Sequence, residues 1–355
     1  MTLRVAIICG GRSSEHEISC ISAGGVISAI DRSKFEPVLI GITKDGRWVL
    51  VPEDFPLEIK DGKLPVIGDS AQSVVVDING ISVGGKNLKI DLVFPLLHGP
   101  YGEDGTIQGL LEMANLPYVG SGVLASAVAM DKSFAKSIFT SHKMATAAGI
   151  VLKASQWLAD PDSVRAQVQE LTYPVFVKPA RGGSSRGTSK VHSETELAGA
   201  IEAALQFDPK VIIEEAIVGA EIECAVLEIA GEPQASIVGK ISIDPKFEFY
   251  DYEAKYFDGA TSIELPAPIS PAISEQIRAS AIKAFQALGC SGLARVDFFL
   301  TDAGEIIINE LNTMPGFTAT SAFPKMWQAS GISYQVVITH LIEGALLRSN
   351  GVLGN

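Results

Sequence analysis

The most informative stretch of the sequence is residues 292–317, which read Gly292-Leu-Ala-Arg-Val-Asp-Phe-Phe-Leu-Thr-Asp-Ala-Gly-Glu-Ile-Ile-Ile-Asn-Glu-Leu-Asn-Thr-Met-Pro-Gly-Phe317. Two apolar runs, 296–300 and 306–308, flank the segment 301–305, whose aspartate and glycine favour a tight turn. The stretch therefore predicts two antiparallel strands joined by a short turn.

The predicted hairpin carries polar side chains on one of its two faces. With a turn centred between the strands, Asp297 pairs with Glu310 across the ladder, and Arg295 pairs with Asn312. Two carboxylates and an amide offer only oxygen ligands, which suits a hard cation such as Mg²⁺ that also bridges phosphates. The same side chains would suit a solvent-facing surface with one cross-strand charge pair. The hairpin alone leaves both interpretations open.

Length and composition indicate a globular enzyme of two or three domains. The chain has 355 residues, more than a single core usually serves, and 47% of them are hydrophobic. With 41 acidic residues against 28 basic ones, the formal net charge is -13. This excess of negative charge argues against nucleic acid or an anionic membrane as a partner. A polyanionic ligand would have to be held by local basic groups.

The cysteines and the apolar runs predict a cytoplasmic protein. Cys9, Cys20, Cys224 and Cys290 lack paired CxxC spacing, and a chain of this size needs no disulfide staples. The apolar run 5–9 is too short for a signal peptide, and no run approaches the roughly 20 apolar residues of a membrane span. We therefore expect reduced thiols and no membrane partner.

The start of the chain has the pattern of a strand, a glycine loop and a helix. An almost wholly apolar run, 3–9, ends at Gly10 and Gly11, and a helix is expected next because Ser13 or Ser14 can cap it and acidic residues follow. The full GxGxxG spacing is absent, so a dinucleotide site is not indicated. Glu15 has the charge to bind a substrate ammonium, although a solvated glutamate is the commoner finding at a helix start.

A second buried strand, 92–97, opens onto a loop that begins with His98. In open α/β sheets, such a loop at the carboxyl end of a strand is where ligands bind. His98 is therefore a candidate for orienting a substrate carboxylate, with a structural hydrogen bond as the simpler role. The glycine-rich segment 119–122 marks the expected end of the N-terminal domain.

A strand at 174–178 ends in Lys178 and continues into a loop of glycines and serines. Backbone N–H groups and the hydroxyls of Ser184 and Ser185 can bind phosphate oxygens, with the lysine as a fixed cation behind them. The lysine precedes the glycines, so the segment is not a GxxxxGK[ST] P-loop. A flexible surface loop is the alternative, but an apolar strand that ends in lysine favours phosphate binding.

Three further segments complete the prediction for the middle of the chain. Residues 154–158 are predicted as a strand, and so are 211–214. The end of the second strand could meet an adenine through its backbone and a ribose through Glu214 or Glu221, unless both carboxylates are simply solvated. The aromatic segment 244–260 is long for a loop within a domain, and we expect it to act as a lid.

Together, six motifs resemble those of one family, the D-alanine–D-alanine ligases of the ATP-grasp superfamily. The resemblance covers nearly the whole chain. The motifs are, in chain order, Gly10-Gly11-x-Ser-x-Glu15, His98-Gly-x-x-Gly-Glu-Asp-Gly105, Met130-Asp-Lys132, Lys178-Pro-x-x-x-Gly-Ser-Ser185, Tyr250-Asp-Tyr-Glu-Ala-Lys-Tyr256 and Glu310-x-Asn-x-x-Pro-Gly316.

The resemblance implies a mixed α/β (α+β) fold with the three-domain ATP-grasp architecture. Residues 1–120 would form an N-terminal domain with a parallel sheet that contributes to substrate binding. Residues 121–216 would form the central ATP-grasp subdomain, and 217–355 the C-terminal catalytic domain. ATP would lie between the central and C-terminal domains.

The resemblance also implies the residues that bind ATP and metal. Asp297, Glu310 and Asn312 resemble the ligands of two Mg²⁺ or Mn²⁺ ions, with Glu310 shared between them. The residues that would contact ATP are Lys132, Lys178, Ser184, Ser185, Glu214, Glu215, Ala216, Ile217, Glu221, Lys255, Asn309 and Glu310.

For the amino-acid substrates, Glu15 resembles the group that binds the ammonium of the first D-alanine, held in a hydrogen-bonded set with Ser184 and Tyr256. Arg295 and the backbone of Gly316 resemble the oxyanion site. The two remaining predicted substrate contacts are His98 and Ser321, and the latter would hold the carboxylate of the second substrate.

The activity that the resemblance implies is ATP-dependent ligation of two D-alanine molecules through a D-alanyl phosphate, for peptidoglycan precursor synthesis. The family's usual homodimer is expected as well. The closest alternative is a ligase of the same family that takes D-lactate or D-serine second, although Tyr256 within an intact aromatic motif favours D-alanine. A non-catalytic ATP-binding regulatory module is the alternative from another class, and the complete set of metal, phosphate and oxyanion positions argues against it.

Two positions depart from the family pattern. Arg186 stands in the phosphate loop where many members have an apolar residue, and Glu215 stands where some have lysine. Both changes would affect ATP affinity more than the type of reaction.

Overall fold

The computed structural model describes residues 2–69, 72–243 and 261–348. Within these ranges, three β-sheets follow one another along the chain and contain seven, four and five strands. Helices lie between the strands and pack on the sheets. The predicted mixed α/β class is confirmed.

The N-terminal sheet is parallel at one end. Strand β1 (Leu3–Gly10) lies between β2 (Phe35–Ile42) and β7 (Leu92–Pro95) and is parallel to both. The loops that follow β1 and β7 therefore meet at one edge of the sheet. The antiparallel remainder consists of β3 (Trp48–Leu50), β4 (Gln72–Asp77), β5 (Gly80–Val83) and β6 (Lys86–Asn87).

Four helices follow the strands of this first part of the described chain. They are α1 (His16–Ala29) after β1, α2 (Thr106–Met113) after the loop that follows β7, α3 (Val123–Met130) and α4 (Lys132–Ser141). The side chain of Asp131 accepts from the backbone N–H of Ser133 at 3.1 Å and caps α4. Because of this cap, Lys132 stands at the first position of a helix.

The middle sheet has the strand order β10-β9-β11-β8. These strands are β8 (Gly149–Lys153), β9 (Val175–Pro179), β10 (Ser189–Val191) and β11 (Lys210–Glu215). Helices α6 (Pro161–Val168) and α7 (Glu194–Leu205) belong to the same part of the chain. In this sheet Ile212 of β11 pairs with Lys178 of β9.

The predicted strand at 154–158 is wrong, because Ala154–Ala159 form helix α5. The side chain of Gln156 accepts the backbone N–H of Lys153 at 2.8 Å, which caps the helix start. Trp157 is the buried residue of this helix and packs into the core of the middle sheet. The strand of this segment is β8, which ends at Lys153, directly before the helix begins.

The C-terminal sheet is antiparallel, with the order β14-β13-β12-β15-β16. Its strands are β12 (Ala220–Ile229), β13 (Glu232–Ile243), β14 (Thr261–Glu264), β15 (Leu293–Leu300) and β16 (Ile306–Asn312). The accompanying helices are α8 (Pro271–Ala287), α9 (Ala322–Ala329) and α10 (Tyr334–Leu347).

Two hydrophobic clusters hold these parts together around a shared cleft. The first joins buried side chains of β1 and β7 to those of β12, β15, α9 and α10. Phe317 is fully buried in it, and its ring centroid lies 5.7 Å from that of Phe94. The second cluster packs α3, α4 and α8 against the C-terminal sheet. The predicted domain limits, 1–120, 121–216 and 217–355, remain predictions.

Among the residues described, no helix has both the length and the apolar character that crossing a bilayer requires. All four cysteines have free thiols and are buried, as expected for reduced thiols.

Candidate active site

A cleft of about 600 Å³ opens between the three sheets. Apart from Ala216, every predicted site residue that the structure describes lines this cleft. The N–H of Ala216 is instead bonded to the carbonyl of Pro174 at 2.9 Å, so Ile217 is the member of that pair that faces the cleft. The tertiary fold thus brings together residues that are up to 306 positions apart in the chain, from Glu15 to Ser321.

Two predicted residues, Lys255 and Tyr256, lie outside the described part of the chain, as does the expected lid, 244–260. Their roles stay predictions.

The hairpin has the predicted register at its functional end. Asp297 pairs with Glu310, and Arg295 pairs with Asn312. The register then shifts, because Phe298 pairs with Ile308, so Asn309 is the extra residue of a β-bulge. A bulge bends its strand locally, and this one lies beside the two carboxylates that point into the cleft.

Arg295 is fixed by two carboxylates. Its Nε and Nη2 each lie 2.7 Å from an oxygen of Asp297, which is a bidentate pair, and Nε also lies 3.3 Å from Glu223. Asn312 donates to Asp297 through Nδ2 at 3.1 Å. Glu223 was not predicted from the sequence. It could be recognised by its position on β12 directly opposite Asp297, but this pairing is apparent only when the strand order is known.

The donor set of Asp297, Glu310 and Asn312 fits a hard divalent cation. It supplies two carboxylates and an amide oxygen, and Lys132 Nζ lies 3.3 Å from Glu310 as a balancing charge. In the described ranges no three His, Cys, Asp or Glu residues form a metal cluster. Water and phosphate oxygens would therefore have to complete the coordination, which is the usual manner of binding Mg²⁺.

Two lysines hold Glu214 at the phosphate side of the cleft. Lys178 Nζ lies 3.1 Å from Oε2 of Glu214, and Lys136 forms an ion pair with Oε1. Burial would raise the pKa of Glu214, whose exposed fraction is 2%, but the two ammonium groups lower that pKa to about 2. Burial lowers the pKa of Lys136, and Glu214 opposes that effect. The carboxylate is therefore ionised at neutral pH.

Lys136 was also missed in the sequence. It lies one helical turn after Lys132 on α4, so both ammonium groups point to the same side of the helix. This i, i+4 spacing was the available signal. A lysine on a helix is usually solvated, however, and only the tertiary structure shows that this one is buried.

Glu15 is buried and is held by the Gly/Ser loop. Ser184 Oγ donates to Glu15 Oε1 at 2.5 Å, which joins the N-terminal and middle sheets. A Cβ atom at Gly99 would lie 2.6 Å from Glu15 Oε2, and one at Gly183 would lie 2.8 Å from it. Both positions therefore need glycine for the carboxylate to occupy this place. The predicted contact between Glu15 and Ser184 is present.

His98 is buried and hydrogen-bonded through both ring nitrogens. Nδ1 lies 3.0 Å from the carbonyl of Met314, and Nε2 lies 2.9 Å from Ser22 Oγ. A carbonyl can only accept, so Nδ1 carries the hydrogen and Nε2 of the neutral ring accepts from the hydroxyl. Burial lowers the pKa of His98, which favours this neutral form. Direct binding of a substrate carboxylate by His98 stays a prediction.

Glu103 lines the cleft and was not predicted as a site residue. Its Oε2 accepts from the N–H of Gly99 at 2.6 Å, and its Oε1 accepts from the N–H of Met314 at 3.3 Å. Burial, with a smaller contribution from the charge of Glu15, raises the pKa of Glu103 to about 8. The signal in the sequence was its place inside the motif that begins at His98, where no chemistry pointed to it.

Gly316 and Ser321 adjoin each other at the start of α9. Ser321 Oγ accepts from the N–H of Thr318 at 3.1 Å, and a Cβ atom at Gly316 would lie only 3.2 Å from that oxygen. Ser321 is the residue before the first turn of α9, whose N–H groups favour an anion. This corner of the cleft therefore suits a carboxylate.

Comparison with family models matches both halves of the chain. A model described as the D-ala D-ala ligase N-terminus matches residues 4–121, and one described as the D-ala D-ala ligase C-terminus matches residues 138–343. Together the two matches cover the sheets that form the cleft.

Individual relatives give the same result over the full length. The D-alanine--D-alanine ligase of Arthrobacter sp. (strain FB24) is 49% identical over 364 residues, covering 98% of this chain and 95% of that protein. The VanG D-Ala:D-Ser ligase from Enterococcus faecalis superposes with a TM-score of 0.85 at 37% identity, covering 97% of this chain and 100% of that one. The D-alanine-D-alanine ligase from Coxiella burnetii superposes with a TM-score of 0.84 at 35% identity, with coverages of 97% and 94%.

Proposed function

The chain belongs to the D-alanine–D-alanine ligase family, and we propose that the residues of its central cleft carry out each step of the family's reaction. The enzyme ligates two D-alanine molecules in an ATP-dependent reaction. Its fold is the ATP-grasp fold of its structural relatives. The assignments of individual residues below are proposals.

The proposed reaction has two steps. The carboxylate of the first D-alanine attacks the γ-phosphorus of ATP, which forms D-alanyl phosphate and releases ADP. The deprotonated amine of the second D-alanine then attacks the acyl carbon, and phosphate leaves as the peptide bond forms. The acyl phosphate is needed because a free carboxylate is a poor electrophile.

On the phosphate side, Lys178 and Lys132 bind the phosphoryl oxygens, together with the serines of the loop after β9. The proposal is supported by the position of both ammonium groups on the wall of the cleft. Glu214 orients Lys178 through the 3.1 Å ion pair. Asp297, Glu310 and Asn312 would hold two Mg²⁺ or Mn²⁺ ions. When bound, these ions would neutralise charge on the transferring phosphoryl group.

The adenine and ribose would lie beyond Lys178, along the edge between the middle and C-terminal sheets. Ile217 and Glu221 line that part of the cleft, and Glu215 lies beside them. The side chain of Glu215 accepts the N–H of Thr172 at 2.7 Å, so this departure from the family pattern has a structural partner.

For the amino acids, Glu15 binds the ammonium of the first D-alanine, supported by its burial and by the bond from Ser184. Arg295 and the N–H of Gly316 stabilise the oxyanion that forms during attack on the acyl carbon. The rigid pairing of Arg295 with Asp297 and Glu223 supports this role, since a preorganised donor needs no reorientation during the reaction. Ser321 and the start of α9 hold the second carboxylate.

The observation that carries these assignments is the cross-strand pairing of Asp297 with Glu310 beside Arg295, which joins metal ligands and oxyanion donor on one face. To test them, the purified chain is incubated with ATP, Mg²⁺ and D-alanine, and the product mass and released phosphate are measured. Parallel reactions offer D-serine or D-lactate with D-alanine. D-Alanyl-D-alanine as the main product supports the proposal, whereas a depsipeptide or a mixed dipeptide as the main product contradicts the choice of second substrate.

Cytoplasmic location and a homodimer remain predictions. Sedimentation of the purified chain would decide the oligomeric state.

A further inference from the structure

The backbone of Met314, next to the catalytic residues, is bound at both of its polar groups by the loop that follows β7. The carbonyl of Met314 accepts from Nδ1 of His98 at 3.0 Å, and the N–H of Met314 donates to Oε1 of Glu103 at 3.3 Å. The donor and the acceptor of the same residue are thus both bound by side chains more than 200 positions earlier in the chain.

The place of Met314 in the chain makes these two bonds consequential. It lies two residues after Asn312, a proposed metal ligand, and two residues before Gly316, a proposed oxyanion donor. Two residues of chain span at most about 7 Å, so a displacement of Met314 is passed to both neighbours. The side chain of Met314 is itself buried in the core cluster that joins the N- and C-terminal sheets.

The loop that supplies the two bonds is itself firmly held. Nε2 of His98 is bonded to Ser22 on α1, and the carbonyl of His98 accepts from Ser13 at 2.7 Å. The second oxygen of Glu103 binds the N–H of Gly99. These contacts fix His98 and Glu103 relative to the N-terminal sheet, so the loop can hold the segment 312–316 in a defined position.

The same loop also borders the site for the first amino acid. The Cα of Gly99 leaves no room for a side chain beside Oε2 of Glu15. Glu15 and the backbone of Met314 are therefore positioned by one loop, and the loop relates the first substrate to the residues that act on its acyl group.

We propose that His98 and Glu103 are positioning residues for acyl transfer, which hold the backbone of Met314 and thereby place the amide of Asn312 and the N–H of Gly316. The inference rests on the proposed function of those two residues. Neither His98 nor Glu103 needs to touch the reacting atoms in this role. Loss of either bond would misplace the catalytic segment while leaving the ATP contacts of the middle sheet intact.

Two substitutions of His98 separate its two hydrogen bonds. In His98→Asn the side-chain nitrogen can occupy the place of Nδ1 and keep the bond to Met314, whereas in His98→Gln it can occupy only the place of Nε2, facing Ser22. We expect His98→Gln to lower kcat on the order of 10²-fold, the effect of a displacement of about 1 Å, with less than a threefold change in KM for ATP. His98→Asn should keep most of the wild-type kcat.

A matched pair of substitutions at Glu103 tests the hydrogen bond that this side chain accepts from the N–H of Met314. Glu103→Gln keeps an acceptor oxygen and should retain more activity than Glu103→Leu, which has none. Because both side chains hold the backbone of one residue, the combined kcat loss in the double variant His98→Gln/Glu103→Leu should be smaller than the product of the single losses. Thermal unfolding of each variant identifies those that fold, and the Glu103 pair provides the test if His98→Gln does not.

The wild-type enzyme separates failure of this inference from failure of the proposed function. If wild type forms no D-alanyl-D-alanine, the proposed function is wrong. If wild type does form it, but folded His98→Gln and His98→Asn have equal kcat, or losses at His98 and Glu103 multiply independently, the positioning role is wrong. A rise in KM for ATP that equals the fall in kcat would also overturn it.

Discussion

Replacing Lys136 by methionine should leave a buried carboxylate with one cation instead of two. Lys136 and Lys178 bind opposite oxygens of Glu214, which is 2% exposed. Methionine has a similar length and no charge, so it fills the space that the lysine stem occupies without replacing its ammonium. The substitution therefore tests the charge and largely preserves the packing.

The size of the effect follows from the pKa of Glu214. A pKa of about 2 in place of the usual 4.5 corresponds to about 3 kcal/mol of stabilisation at neutral pH, since one pKa unit is worth about 1.4 kcal/mol. Complete loss of the partner of a buried charge costs about 3–5 kcal/mol. Because Lys178 remains and the burial of one ammonium is avoided, we expect Lys136→Met to cost about 2 kcal/mol. For a chain of 355 residues, this loss corresponds to a fall in Tm of roughly 3 °C.

Thermal unfolding is monitored by circular dichroism at several pH values. The folded-state pKa of Glu214 is depressed, so its contribution is present above pH 4.5 and is lost as the pH falls towards 2. The difference between wild type and Lys136→Met should therefore be largest at neutral pH and should narrow below about pH 4.5. Lys283→Met, at an exposed lysine of α8, is the control and should leave Tm nearly unchanged.

The double variant Lys136→Met/Glu214→Gln decides whether charge is the cause. Once the carboxylate is gone, Lys136 has no ion pair to lose, so the loss in the double variant should be smaller than the sum of the losses in Lys136→Met and Glu214→Gln. If the double variant is instead less stable than Lys136→Met by the full cost of Glu214→Gln, the two residues act independently and the reasoning is refuted. A pH-independent difference in Tm would refute it as well.

Three further predictions concern the C-terminal hairpin and the loop after β7. Arg295→Ala should lower kcat by about 10²- to 10³-fold, the effect of removing one oxyanion donor, while the Kd for ATP stays nearly unchanged; a near wild-type kcat in steady-state assays would exclude that role. Asp297→Ala should raise the Mg²⁺ concentration needed for half-maximal turnover and leave Tm within a few degrees of wild type, whereas an unchanged Mg²⁺ titration would contradict metal ligation. Glu103→Gln should flatten the dependence of stability on pH. In the native state the carboxyl of Glu103 keeps its proton up to a pKa of about 8, whereas in the unfolded state it loses the proton near pH 4.5. Wild type should therefore lose stability relative to the variant as the pH rises through that range. If denaturant unfolding gives parallel plots of stability against pH for the two proteins, Glu103 ionises normally.

The C-terminal hairpin is the element that the sequence predicted best. Alternating apolar and polar residues around one turn were sufficient to pair Asp297 with Glu310 and Arg295 with Asn312, because side chains alternate faces along a strand. The bulge at Asn309 was not predictable in this way. An extra residue leaves the local pattern almost unchanged, and it appears only in the pairing with the neighbouring strand.

The segment 149–159 shows where local patterns are insufficient. Residues 154–158 were predicted as a strand, but strand β8 ends at Lys153 and helix α5 begins at Ala154. The cap from Gln156 to Lys153 and the burial of Trp157 decide the helix. Short segments of this kind are difficult to assign, because burial against the rest of the molecule determines whether they form a strand or a helix.

The family, the mixed α/β class and most of the charged residues that line the cleft could be inferred from the sequence, because motifs with specific chemistry are recognisable one segment at a time. The contacts of Lys136, Glu103 and Glu223 are visible only in the folded molecule, because they depend on partners from other segments and on burial. A lysine on a helix or a glutamate in a loop is usually solvated. Contacts such as those of Lys136 with Glu214, or of Glu103 with Met314, join positions far apart in the chain, so no local pattern contains them.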